Sequence, residues 1–150
     1  MNIKIRKAEK SDIPTIMALV KKLALFERAP QEVTVTEEDY IENGFTNENP
    51  LFESNLAFVD DKIAGFSLWY YRFSTWKGKR LYLEDIYIEE EFRGMGIGKL
   101  LLEIAIEEGK AKNCTGMMWQ VLDWNDKAIE FYKKYDVKLD YEWVNVHKDL

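Results

Sequence analysis

The sequence predicts a mixed α/β fold, a central sheet with helices on both faces, and three stretches carry that expectation. The first is 81–102, LYLEDIYIEEEFRGMGIGKLLL, where a strand pattern passes through a glycine-rich connector into a helical one. The second is 13–24, in which Ile13, Ile16, Met17, Val20, Leu23 and Ala24 form one helical stripe. The third is 56–73, two strand-like runs meeting at Asp60-Asp61-Lys62, the pattern of a hairpin. The order they imply is β-α-α-β-β-β-α-β-α-β, in one domain spanning 1–150.

Taken in order, Ile3 to Arg6 alternate as a first strand. Ser11 offers an N-cap and Pro14 suits a first turn, so a helix is expected from there to about Glu27. Thr36-Glu37-Glu38-Asp39 reads as a capping box for a short second helix stopping near Gly44. Strands 56–59 and 63–73 follow, with Trp69-Tyr70-Tyr71 expected to serve as packing, and 74–79 makes a turn carrying Trp76.

In the central strand, alternation groups Leu81, Leu83, Asp85 and Tyr87 on one face and Tyr82, Glu84, Ile86 and Ile88 on the other. Both faces are largely apolar, so adjacent Glu84 and Asp85 stand out, because a buried carboxylate is costly without a partner. The next helix runs from Gly98 to about 110–113. A strand is expected at 115–122, a last helix at 128–135 capped by Asn125 or Asp126, and two short strands at 137–139 and 142–147.

Composition narrows the functional classes. The 150 residues carry a net charge of −6 and no basic stripe interleaved with aromatics, which argues against nucleic acid as a partner. No apolar run approaches the ~18 residues of a membrane span, and no signal peptide is read at the start, so cytoplasmic residence is expected. The single Cys114 excludes an internal disulfide. Neither Cys114 nor His147 sits in a recognisable nucleophile or metal-ligand arrangement, and no metal is expected.

The chemistry concentrates at Arg93-Gly94-Met95-Gly96-Ile97-Gly98. Glycines can take positive φ and bring N–H groups to one point at a helix N-terminus, a ready site for phosphate oxygens. A Walker loop fails because Leu100 follows Gly98-Lys99, and a dinucleotide fingerprint fails because position 99 is Lys.

What remains, Arg/Gln-x-x-Gly-x-Gly/Ala, resembles the acyl-CoA loop of the GNAT superfamily of N-acetyltransferases. With Leu23-Ala24-Leu25-Phe26-Glu27, Glu42-Asn43-Gly44-Phe45, Ser74-Thr75-Trp76-Lys77-Gly78, Tyr82-Leu83-Glu84-Asp85-Ile86-Tyr87, Asp123-Trp124-Asn125 and Phe131-Tyr132-Lys133, it resembles the diamine (spermidine/spermine) and thialysine acetyltransferases. The resemblance implies acetyl-CoA as cofactor, a small-molecule amine as substrate and a homodimer. It also implies cofactor contacts from Ile86, Tyr87, Ile88, Arg93, Gly94, Met95, Gly96, Ile97, Gly98, Lys99, Asn125, Asp126, Lys127, Ala128 and Tyr132. Phe26, Glu27, Trp76, Glu84, Asp85, Trp119 and Glu142 are the implied amine-binding residues.

For catalysis, Glu84 is the candidate base and Tyr132 the candidate acid, since an ammonium must lose a proton and the departing thiolate must gain one. The turn 74–78 matches the thialysine branch, which makes a shorter amine as plausible as spermidine. Lys133-Lys134-Tyr135-Asp136 stands where the family usually ends its helix with Gly, leaving the chain beyond it open. Peptide acetylation and non-catalytic acyl-CoA binding are the competing readings.

Overall fold

In the computed structural model, residues 1–46 and 48–150 are described, and they divide into two compact units, Met1–Gln120 and Val121–Leu150. The first unit holds a five-stranded sheet in the order β1-β2-β3-β4-β5: β1 Ile3–Lys7, β2 Glu53–Val59, β3 Lys62–Ser74, β4 Gly78–Ile88 and β5 Gly116–Trp119. The first four strands pair antiparallel, and β5 joins β4 in parallel. Its helices are α1 Ile13–Phe26, α2 Glu37–Tyr40 and α3 Ile97–Ala111.

Local chemistry explains most of the boundaries. A 3-10 turn, Lys10–Asp12, precedes α1, and Asp12 rather than Ser11 stands at the N-cap of α1, without a side-chain bond to the helix; its Oδ2 instead accepts from the Glu9 N–H at 2.7 Å in the capping box of the turn, while Arg6 holds the same carboxylate. The Arg6 hydrogen bond, reinforced by that N–H, keeps the Asp12 carboxyl below its usual range. The Thr36–Asp39 capping box is present in both directions, at 3.2 and 2.8 Å. From α2 the chain runs on through a π turn, Ile41–Phe45. Asp60 and Asp61, at φ 46° and 67°, form the two-residue β2–β3 turn, a geometry whose twist matches that of the strands it joins.

The sheet has an apolar layer on each face. Ile13, Ile16 and Leu19 of α1 and Tyr40 of α2 pack on Leu56, Phe66, Leu68 and Tyr87. On the other face, Ile97 and Leu101 of α3 pack with Ala57, Val59, Ala64 and Phe92. Ile16 and Leu101 are completely enclosed, so truncating either to Ala removes about 2–5 kcal/mol of stability.

One irregularity corrects the expected grouping of β4. Leu68 pairs with Asp85 but Trp69 pairs with Leu83, so Glu84 is an extra residue opposite no partner, a β-bulge. The alternation therefore slips by one. Leu81 and Leu83 lie on the α3 face with Ile86 and Ile88, whereas Asp85 and Tyr87 share the α1 face with Tyr82.

The second unit contains α4, Asp126–Tyr132, capped by Asn125, whose Oδ1 accepts from the Ala128 N–H at 3.4 Å. A 3-10 turn, Lys133–Tyr135, extends it, and Asp136 at φ 54° takes the left-handed position that glycine usually fills after a helix. Residues 120–122 fall outside β5, and the strands expected at 137–139 and 142–147 do not form among the described residues. Val137, Trp143, Val144 and Val146 have strand propensity, but a strand needs a partner edge and their own unit supplies none.

Candidate active site

The bulge sets the site. By inserting one residue it turns two consecutive carboxylates toward the same face, where regular alternation would have separated them. Glu84 is exposed, and the Tyr70 hydroxyl donates to its Oε2 at 3.2 Å. Asp85 is half-buried, and desolvation together with the charges of Glu84 and Glu27 pushes its pKa up to about 7. Glu27 follows the last residue of α1. Although the residue as a whole is exposed, its carboxyl is partly withdrawn from water, which raises its pKa.

Tyr70, assigned by the sequence to packing alone, thus holds one of the acids; its ring lies 5.2 Å from Tyr82, and burial and Glu84 push its own pKa to about 12. Its position across from Tyr82, one pair from the bulge, is a matter of register that composition does not reveal.

A second cluster closes the near end of this face. The Arg93 guanidinium lies 5.2 Å from the Phe26 ring centroid and 5.6 Å from that of Tyr87, and its Nε donates to the Ile88 carbonyl at 3.0 Å. Lys22 of α1 pairs with Glu89 just beyond β4. Arg93, expected as the first residue of a cofactor loop, is also the brace between that loop and the wall formed by Phe26 and Glu27.

The loop itself is built for close approach. Gly94 and Gly96 have φ of 79° and 83°, and a Cβ on either would meet nothing within 4 Å, so their outer side is open. Met95 and Ile97 turn inward onto the α3-face core, leaving main chain as the outward surface. Gly96 is the N-cap of α3, whose first N–H groups have no intrahelical partner. At Gly98 a Cβ would make only an ordinary 3.8 Å contact with Ile88, so the fold does not demand glycine there; a ligand lying against the main chain would. These features fit the diphosphate of an acyl-CoA. Lys99 is exposed and pairs with Glu103 at 3.8 Å. Among the described residues no strand pairs with the β5-side edge of β4 beyond Leu83, which leaves that edge open at Ile86 and Tyr87, while the Ile88 carbonyl accepts from Arg93.

Other expected residues fall elsewhere. Trp76 is 83% exposed at the tip of the β3–β4 hairpin, seven positions or more along β4 from Asp85, and is not brought to the acids because the hairpin runs on past them. Trp119 pairs with Leu83, which places it on the α3 face, opposite the face of Asp85. In the second unit, Tyr132 is buried with its ring 5.5 Å from Phe131, Asn125 caps the helix that carries Ala128, and Asp126 and Lys127 line a shallow hollow with Phe131. Glu142 is exposed, its N–H donating to Asp140 at 3.0 Å.

A sheet splayed open beside a glycine loop, with carboxylates gathered on one face, defines an acyl-CoA-dependent amine acyltransferase. The comparisons agree: the profile of the Acetyltransferase (GNAT) family matches residues 18–136, and the chain belongs to that family. It is an N-acetyltransferase that uses acetyl-CoA. Among curated proteins, thialysine N-epsilon-acetyltransferase of Mus musculus is 37% identical over 138 residues, covering 87% of this chain and 81% of that protein. Spermidine/spermine N(1)-acetyltransferase-like protein 1 of Homo sapiens is 35% identical, covering 85% of this chain and 19% of its own length. Among solved structures, AAC(6')-Iy in complex with the bisubstrate analogue CoA-S-monomethyl-acetylneamine superposes with a TM-score of 0.81 at 18% identity, covering all of both chains.

Proposed function

We propose that the chain acetylates the primary amine of a small molecule, a diamine, a polyamine or a thialysine-like amino acid, held between Glu84 and Asp85 on the sheet and Glu27 at the end of α1. The observation that carries this reading is the convergence of those three carboxylates at the β4 bulge. Three like charges repel, and a bound ammonium relieves the repulsion. The names of the thialysine and spermidine/spermine relatives support the same substrate range.

An alkylammonium has a pKa near ~10.4, so the bound amine must give up a proton before it is nucleophilic. We assign the proton to the acids at the bulge; Asp85, at about 7, is matched to neutral pH, and Glu84 lies beside it in the chain. Acetyl-CoA supplies the acetyl group as a thioester. Main-chain N–H groups of Gly94, Gly96, Ile97 and Gly98 would hold its diphosphate, and Tyr132 would return a proton to the thiolate. That the chain is a single acetyltransferase domain belongs to the same proposal, supported by a family match over residues 18–136.

Cytoplasmic residence and a homodimer belong to the same proposal. The single cysteine supports the first, and no helix among the described residues is long and apolar enough to cross a membrane. Exposed Tyr141, Trp143, Val144 and Val146 support the second.

The test is CoA release with acetyl-CoA and a panel of spermidine, putrescine, thialysine, lysine and a peptide N-terminus. Turnover with one or more of the small amines and none with the peptide is expected. Silence on the whole panel, with acetyl-CoA still bound, would replace this reading with a non-catalytic acyl-CoA-binding regulator.

A further inference from the structure

The sheet face that carries the acids continues along β3 toward the hairpin tip, and its charge reverses there. Tyr70 pairs with Tyr82 and Arg72 with Arg80, so Tyr70, Arg72 and Tyr82 share the face of Asp85. They form an unbroken run. Glu84 accepts from Tyr70, the Tyr70 ring lies 5.2 Å from Tyr82, and the Arg72 guanidinium carbon lies 5.4 Å from the Tyr82 centroid on the far side of the acids.

Arg72 is exposed, and among the described residues it forms no ion pair with a carboxylate; its polar contact is an Nη1 to the Met118 sulfur at 3.6 Å, a weak acceptor. Most of its five donors are unspent. The stack on Tyr82 nonetheless orients the planar fork, which lowers the ordering cost of receiving a second planar group. Arg80, across from it, is engaged differently, donating to the Met117 carbonyl at 3.2 Å.

We infer that Arg72 is a specificity-determining residue that receives the carboxylate of an amino-acid substrate whose side-chain amine lies at Glu84 and Asp85. This deepens the small-amine reading and rests on it. Along β3, Arg72 is two residues, roughly 7 Å, from Tyr70, which holds Glu84, and four residues, roughly 13 Å, from Leu68, the partner of Asp85; its guanidinium leans back over Tyr82, so Glu84 is the acid within a lysine-length span. In an extended lysine-like molecule the terminal nitrogen and the carboxylate are about 7–8 Å apart by ordinary bond lengths. The tyrosine pair provides an apolar floor for the methylene or thioether chain between them. A diamine of the same length has no group for the guanidinium to bind, and a longer polyamine sets a second ammonium against it.

The test compares substrates differing by the carboxylate alone: L-lysine against cadaverine, L-ornithine against putrescine, and thialysine against its decarboxylated counterpart. Wild type should favour the carboxylated member of at least one pair in kcat/KM. Arg72→Gln should lower kcat/KM for that member about 10- to 100-fold, the scale of a charge-assisted hydrogen bond, and raise it for the bare diamine. Arg72→Lys should restore part of the preference, since it keeps the charge but not the fork. Because Arg72 is exposed, these variants leave the core intact. If wild type turns over these amines but Arg72→Gln leaves the ratio unmoved, or weakens both members equally, the assignment to Arg72 is overturned and the small-amine reading stands. A wild type inactive on every pair but active on spermidine overturns the assignment to Arg72 and leaves the small-amine reading standing; inactivity on spermidine as well overturns both.

Discussion

At the scale of single residues, Asp85 holds the site's functional tension. Its folded pKa of about 7 lies above the ordinary carboxylate value, so the folded chain keeps a proton that the unfolded chain has lost. Between about pH 4 and pH 7 the native state therefore binds more protons than the unfolded one, and stability falls as pH rises through that window before levelling off. Asp85→Asn removes the dependence. Its Tm should exceed that of wild type at pH 8, by the equivalent of about 1–3 kcal/mol, and approach the wild-type value at pH 5. Calorimetric scans at the two pH values decide this; an equal Tm difference at both would show that the carboxyl is not held proton-rich by its surroundings. In the same variant the acidic limb of kcat/KM near pH 7 should disappear or move, because Asp85, at about 7, is the acid proposed to take the proton.

At the scale of elements, the strand, glycine loop and helix were legible because each has a local signature. Alternation marks β4, the Gly94-Met95-Gly96 spacing marks the turn, and the Leu101, Ala105 stripe marks α3. The β4 bulge has no such signature. It exists only as a mismatch between the registers of two strands, so alternation alone placed Asp85 with Leu81 and Leu83, and the contacts of Tyr70 stayed hidden with it. Trp119 and Trp76 were expected at the amine from the family resemblance, and their strand positions place one on the opposite face and the other at the hairpin tip. The glycine loop allows a test in which stability and function separate. Gly98 is helical and has room for a Cβ, so Gly98→Ala should stabilise the fold by about 1 kcal/mol. It should also weaken acetyl-CoA, because the methyl group would stand on the main chain proposed to hold the diphosphate. Titration calorimetry and a thermal scan on one preparation read both effects. Unchanged affinity would mean that this stretch does not carry the diphosphate.

At the scale of the whole molecule, the two units differ in how far their sequence determines them. The first has a sheet sealed by helices on both faces, and its element order followed from periodicity. The second ends in residues 137–150, whose apolar side chains face water: Trp143 is 73% exposed and Val146 90%. The strands expected there were read correctly as propensity and wrongly as structure, because β-propensity expresses a fit to a neighbouring strand, and no neighbour exists in that unit. Exposed aromatic and β-branched side chains in such a segment are costly in water and favour association. The proposed homodimer gives them a place to go. Light scattering on the full chain should therefore report a dimer, and on a chain ending at Asp136 a monomer. The shortened chain keeps the entire sheet and α4, so a preserved circular dichroism spectrum will separate loss of association from loss of folding. A truncated chain that stays dimeric would move the interface away from residues 137–150, and a full chain that is monomeric at micromolar concentration would remove the dimer from the proposal.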